Sequence, residues 1–289
     1  MLKNSNLIGL LRPPDNPDGE PLKLEGNALV GADWSIPIVN GIPDFVTYAP
    51  HIRRILTFNI PIEDKPSHDV LKFPICYEIP PGWFHEEKSK FAVLKEHQKG
   101  FLLDVGCGQG NRRTFEKLDY DYIGLDISFN SQQKRQGPAD VDVVADCHRI
   151  PLPSESIEVC NSAAVLEHLY CPPLALREIN RVLKKGGLMI GSCSFLEGEH
   201  YDSQCHHSWL ELYRLLKIAG MEVIHIYPGL SLWEIHSNSI FLSLPGHQWM
   251  GRLLRILYLS LVGIKSKEPP QMRLLRHAAV LHFIAVKPY

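Results

Sequence analysis

Leu102–Gly110 reads LLDVGCGQG. The apolar run Phe101–Val105 carries Asp104 near its end, and Gly106, Gly108 and Gly110 follow. A short apolar run closed by turn residues predicts a buried strand. The glycines predict a tight turn into a helix, where the backbone approaches a ligand with no Cβ in the way. The helix start adds free N–H donors beside that ligand. A dinucleotide fingerprint would need glycine where Asn111 stands, so the spacing is G-x-G-x-G rather than G-x-G-x-x-G. An acid two residues before the first glycine repels a pyrophosphate and suits a ligand with an ammonium group.

Two more acids end the strands that follow. Asp126 lies in YIGLDIS, at the position from which a carboxylate grips two ribose hydroxyls, and Asp146 lies in VVADCHRIPLP. Three acids at successive strand ends define a nucleoside pocket at the carboxyl edge of a parallel sheet. The surrounding pattern agrees with that reading. Further strands are expected at Tyr122–Leu125, Val141–Ala145, Ile157–Cys160, Leu188–Gly191, Val223–Tyr227 and Ala278–Val286. A helix is expected over Leu174–Leu183, entered through Pro172-Pro173 and stopped at Gly186-Gly187, and another is marked by Trp209, Leu212, Leu215, Leu216 and Ala219. Apolar strands alternating with helices imply a sheet covered on both faces.

Five motifs in order, LLDVGCGQG, YIGLDIS, VVADCHRIPLP, IEVCNSAAVLEHL and ALREINRVLKKGGLMI, resemble the class I S-adenosylmethionine-dependent methyltransferases. The closest branch is the one containing the ubiquinone/menaquinone-biosynthesis enzymes, and the resemblance covers about residues 100–228. It implies an α/β fold: a Rossmann-like, seven-stranded, mostly parallel sheet with an antiparallel last strand. It also implies S-adenosyl-L-methionine as cofactor. Asp104, Gly106, Cys107, Gly108 and Gly110 would face its methionine end. Asp126, with Ile127 beside it, would bind the ribose. Asp146 and the backbone at Cys147 would hold the adenine edge, and Asn161 and Ser162 would lie near the sulfonium. Cys107 reads as a packing residue rather than a redox centre.

The domain expectation is a β-module over 1–46, a Pro-rich linker over 47–83 and a methyltransferase domain over 84–289 with a helical insertion at about 230–277. The first 46 residues resemble the small zinc-ribbon module that accompanies some methyltransferases. Pro13, Pro14, Asp15 and Asn16 stand at its first cysteine pair, and Gly31, Ala32 and Asp33 near its second, so no metal is expected there. The seven cysteines are scattered with no C-x-x-C, which fits reduced thiols in a cytoplasmic protein.

The acceptor side is less defined. Glu167-His168 reads either as a general-base pair or as a turn that closes the site. Glu197, Glu199, His200, Tyr201, Asp202, Cys205, His206 and His207 follow the fifth strand, over the substrate cavity in this fold. They match no standard metal spacing, so an acid/base and substrate-orienting loop is preferred over a metal site. His168, His200 and Asp202 are the catalytic candidates. Asn161-Ser162-Ala163-Ala164 lacks the Asn/Asp-Pro-Pro-Tyr/Phe of enzymes that methylate nucleic-acid bases or glutamine, which argues against DNA. With 30 Lys/Arg against 32 Asp/Glu, the chain also lacks a nucleic-acid binder's charge.

The expected function is therefore methyl transfer, with oxygen the preferred acceptor atom, to a small-molecule, sugar or lipid-like acceptor. The alternatives are a non-catalytic S-adenosylmethionine-binding regulatory partner, or a protein or RNA methyltransferase. The charge is uneven: Gly251–Tyr289 holds seven Lys/Arg against one acid, Glu268. Leu253–Ile264 is too short to span a bilayer. With its basic flanks, 249–264 keeps a membrane-surface contact open as an alternative to burial or packing on a partner.

Overall fold

A computed structural model describes residues 2–31, 33–46, 90–108, 112–128, 140–198, 200, 202–229 and 274–289, with four isolated positions, Leu253, Ile256, Leu257 and Ser260. The expected linker and most of the 230–277 insertion lie outside the described residues. Within that insertion Leu253, Ile256, Leu257 and Ser260 are helical and exposed.

The N-terminal region folds through turn chemistry. β1 (Lys23–Glu25) and β2 (Ala28–Val30) pair antiparallel across Gly26-Asn27, with Gly26 at φ 59°. β3 (Ser35–Val39) and β4 (Ile42–Pro43) join across Asn40-Gly41, at φ 53° and 79°. Two successive left-handed residues give the hairpin turn whose twist matches the flanking strands. Along β3 the alternation points Ile36 and Ile38 inward, onto Leu7, Leu11, Leu22, Leu29 and Trp34. The two loops that carry Pro13–Asn16 and Asp33 are tied by a hydrogen bond: the Trp34 indole donates to Asp15 Oδ1 at 2.9 Å.

The larger sheet has seven strands in the order β10-β11-β9-β8-β5-β6-β7. They are β5 (Phe101–Val105), β6 (Asp121–Asp126), β7 (Val143–Val144), β8 (Ile157–Ala163), β9 (Leu183–Ser194), β10 (Glu222–Pro228) and β11 (Val280–Val286). β5 to β9 pair in parallel, and β11 runs antiparallel between β9 and β10. The observed β7 is shorter than the expected Val141–Ala145, and β9 starts earlier than the expected Leu188.

Four described helices flank this sheet. They are α1 (Lys90–Glu96), α2 (Arg112–Glu116), α3 (Pro172–Val182) and α4 (Trp209–Ile218). α3 buries Ala175, Leu176, Ile179 and Val182, a helical repeat. It ends before the two glycines expected to stop it. Leu183 turns extended at φ −63°, ψ 137°, and Gly186-Gly187 lie inside β9. There Gly186 at φ 76° bonds Lys287 O, and an added Cβ would lie 2.7 Å from the Tyr289 hydroxyl. These glycines therefore serve a strand crossing, not a cap. α4 is capped at its start by Ser208 Oγ, which accepts from Glu211 N at 3.2 Å.

The N-terminal module and the large sheet share one apolar core. Phe45 N donates to Val144 O at 2.9 Å, and Asp44 bridges Val144 in parallel, so the chain after β4 lies along the outer side of β7. Lys3 Nζ reaches Val141 O at 3.1 Å, Asn4 reaches Tyr122 O at 3.1 Å, and Arg12 N reaches Pro151 O at 3.1 Å. No helix among the described residues is long and apolar enough to cross a membrane.

Candidate active site

The carboxyl ends of β5, β6 and β8 meet where the sequence placed the pocket. At the end of β5 the chain turns through Gly106 (φ 66°) and Gly108 (φ 49°). Gly106 N and Cys107 N both donate to Leu125 O, at 2.8 and 3.1 Å, which seats the loop on β6. An added Cβ at Gly106 would lie 2.4 Å from Val165 Cγ2. Glycine is thus required by the neighbouring segment as well as by the positive φ. Gly110 lies outside the described residues.

Asp104 is buried beneath the loop. Its Oδ1 accepts from Asn161 Nδ2 at 2.6 Å and its Oδ2 from the Tyr122 hydroxyl at 2.8 Å. Neighbouring parallel strands β8 and β6 supply these donors, so register rather than sequence proximity sets the carboxylate. Burial, and then the Asp104 charge, push the Tyr122 hydroxyl far above its usual range, keeping it a donor. Asp126 Oδ2 accepts from Gly108 N at 2.9 Å, so this carboxylate holds the glycine loop as well as facing the pocket edge. Ile127 beside it is exposed at 45%. Asp146 Oδ1 accepts from His148 N at 2.9 Å and lies 2.6 Å from His148 Nδ1. The His148 ring stacks on Tyr170 with centroids 3.9 Å apart. Cys107 and Cys147 are buried, and burial raises both thiols well above their usual range, which keeps them protonated.

Sequence reasoning missed a supporting layer. Asp142 Oδ2 accepts from Gly124 N at 2.9 Å and from Arg112 Nη2 at 2.6 Å, and the Arg112 guanidinium lies 4.4 Å over the Tyr122 ring. The acid–valine alternation of Asp140-Val141-Asp142-Val143 reads as an outward-facing acid, whereas Asp142 is buried and its partners sit on other elements.

Several buried polar atoms on this edge have no hydrogen-bond partner among the described residues: Asn161 Oδ1, Ser162 Oγ, His148 Nε2, Glu167 Oε2 and His168 Nδ1. Buried polar groups in folded proteins are normally paired. A run of unpaired ones along one sheet edge fits a polar ligand. At Gly106 the space a Cβ would take is filled by Val165, so this glycine lets the loop close onto its neighbour.

The acceptor-side candidates also come together. His168 Nδ1 lies 3.2 Å from Asp202 Oδ1 without hydrogen-bond alignment, and the His168 and His200 rings meet edge-on with centroids 5.4 Å apart. His200 Nε2 lies 3.9 Å from Glu167 Oε1. Glu167 is fully buried, the turn Leu166–His168 placing it inward while His168 stays partly exposed. His207 is also buried, against Leu166 O and Cys205 Sγ at 3.4 Å each, so it belongs to the packing of the loop. Glu199 and Tyr201 lie outside the described residues.

Residues 103–191 match the family model described as a methyltransferase domain. An uncharacterized chloroplastic methyltransferase of Arabidopsis thaliana is 32% identical over 126 residues, 39% of this chain and 36% of that protein. The malonyl-[acyl-carrier protein] O-methyltransferase of Yersinia pestis is 31% identical over 113 residues, 37% of this chain and 42% of that protein. The match thus spans well under half of these relatives' length. A solved structure of Haemonchus contortus phosphoethanolamine N-methyltransferase 2 with S-adenosyl-L-methionine aligns over 68% of this chain and 52% of that one, at 18% identity and a TM-score of 0.44. Over residues 103–191 the chain thus matches a methyltransferase domain, on the same strands that carry the ordered motifs.

Proposed function

We propose that the chain transfers a methyl group from S-adenosylmethionine to an oxygen of a small-molecule, sugar or lipid-like acceptor. The observation that carries this reading is the set of unpaired buried polar atoms between the glycine loop and the Glu167–His168 turn. Asp104 and the Gly106–Gly108 turn would hold the amino-acid end of the cofactor, Asp126 the ribose hydroxyls, and Asp146 with the Cys147 backbone the adenine edge. When bound, the cofactor supplies an already activated methyl group on a sulfonium. The protein's task is then to align the acceptor and exclude water. Asn161 and Ser162, at the end of β8, stand between the two halves. His168, His200 and Asp202 flank the acceptor side, where a histidine can take the proton an acceptor hydroxyl loses. Asp202 Oδ1 lies 3.2 Å from His168 Nδ1, on the acceptor side of that histidine. The relative named for O-methylation of a malonyl carrier supports an oxygen acceptor.

The test is calorimetric titration with S-adenosylmethionine and S-adenosylhomocysteine, followed by assay of S-adenosylhomocysteine release with malonyl thioester, sugar-hydroxyl and quinol acceptors. Binding of both cofactor forms and turnover on an oxygen acceptor are expected. Turnover confined to an amine such as phosphoethanolamine would overturn the choice of oxygen. Absence of cofactor binding would overturn the whole reading.

A further inference from the structure

Among the described residues, one serine hydroxyl on the acceptor side faces two carboxylates. A carboxylate oxygen of Glu167 and one ring nitrogen each of His168 and His200 all lie within 4.8 Å of one another. Glu167 is fully buried, and its Oε2 has no hydrogen-bond partner among the described residues. Its Oε1 lies 2.8 Å from Ser194 Oγ, and Glu197 Oε2 lies 2.9 Å from the same hydroxyl. A serine hydroxyl has one hydrogen to donate, so it serves only one of the two acids at a time. Asp202 adds a third carboxylate beside His168. A buried carboxylate with one oxygen unmatched is costly unless a cation or donor meets it.

We propose that Glu167, His168 and His200, flanked by Asp202, form a site for a divalent cation of the zinc or manganese class. Two imidazoles with one or two carboxylates are the borderline donor set those ions take. The ligand spacing escapes a sequence scan because Glu167-His168 follow β8 and His200 follows β9. The other group with ligand-type atoms close together, Asp146–Cys147–His148, differs. There the acid is already engaged by His148, and burial keeps the thiol protonated. Cation binding at Glu167–His168–His200 does not depend on the methyl-transfer reading, but with the cation held there the ligating histidine nitrogens no longer take the acceptor's proton, and that proton passes to solvent. The role it would have, holding an acceptor oxygen and lowering that hydroxyl's pKa, rests on that reading.

The experiment uses the full chain, stripped with chelator and titrated with Mn²⁺ followed by electron paramagnetic resonance, with Zn²⁺ as competitor. One Mn²⁺ per chain, displaced by Zn²⁺, is expected. His200→Ala and His168→Ala should each weaken binding at least about 10-fold, since changes even one shell further out cost about 10–100-fold. His200 is partly exposed, so its variant tests the site without emptying the core, and thermal melts confirm that both variants fold. No stoichiometric Mn²⁺ or Zn²⁺, or wild-type affinity in both folded variants, would overturn the proposal. S-adenosylmethionine titration of the same stripped chain separates the two readings. Cofactor bound with no cation overturns only this site, and cation bound with no cofactor overturns only the methyl-transfer reading.

Discussion

The two halves of the pocket edge are built in opposite ways. On the proposed cofactor half the acids are already engaged: Asp104 by Asn161 and Tyr122, Asp126 by Gly108, Asp146 by His148. On the proposed acceptor half Glu167 Oε2 and His168 Nδ1 have no hydrogen-bond partner among the described residues, and Ser194 is shared between two carboxylates. The first arrangement fixes geometry before any ligand arrives, which lowers the ordering cost of binding. The second leaves the chain's own polar groups to be completed by whatever enters.

Breaking the engaged half should give the largest effects. Gly106→Val places a side chain at a positive φ and against Val165, adding about 1–3 kcal/mol of backbone strain and about 1–3 kcal/mol of overpacking. Thermal melting should show the loss, and calorimetry should show cofactor binding abolished. Asp126→Ala removes the acceptor for Gly108 N and the proposed ribose partner, costing about 1–3 kcal/mol of cofactor affinity by calorimetry. Unchanged affinity would break the assignment of that half.

The acceptor half should respond in the other direction. Glu167→Gln keeps the shape and can still accept from Ser194, while removing a charge that the surrounding groups do not match. In cation-free protein the variant should melt at or above the wild-type temperature, by up to about 1 kcal/mol of added stability. A clear loss of stability would show that the carboxylate is satisfied within the chain and would erase the contrast. The smallest effect concerns thiols. Burial raises Cys107 and Cys147 on the cofactor half, so each holds less thiolate than an ordinary cysteine at any given pH. Cys205 on the acceptor half is raised by burial as well but is partly exposed. Alkylation at pH 8 followed by mass spectrometry should label Cys205 before Cys107 and Cys147, and all three should speed up as pH rises.

The engaged half was largely legible in the sequence. Strand ends announce themselves through apolar runs closed by glycine, and acids at successive ends converge by the geometry of a parallel sheet. The partners of those acids were not legible. Tyr122 reaches Asp104, and Asn161 reaches it from the other side, only because β6, β5 and β8 pair in that register. The Arg112–Asp142 pair is hidden for the same reason. On the acceptor half, Glu167-His168 was visible as a pair. That one member points into the core while the other meets His200 depends on a short 3-10 turn, and no periodicity records it. Gly186-Gly187 misled because the Pro-start, Gly-stop rule is local. Their real partners, Lys287 and Tyr289, lie about a hundred residues away at the chain's end.

The strip of chain at Asp44-Phe45 lies along the outer side of β7 and bonds to Val144. β7 would otherwise present a bare strand edge, and bare edges recruit other chains into intermolecular sheets. Among the described residues, Asp44-Phe45 thus covers that edge, and the first 46 residues share the core. A shortened chain starting at Lys90 would lose part of that shared core and would also offer that edge to its neighbours. Its failure would be seen as a lower melting temperature together with precipitation that grows with protein concentration.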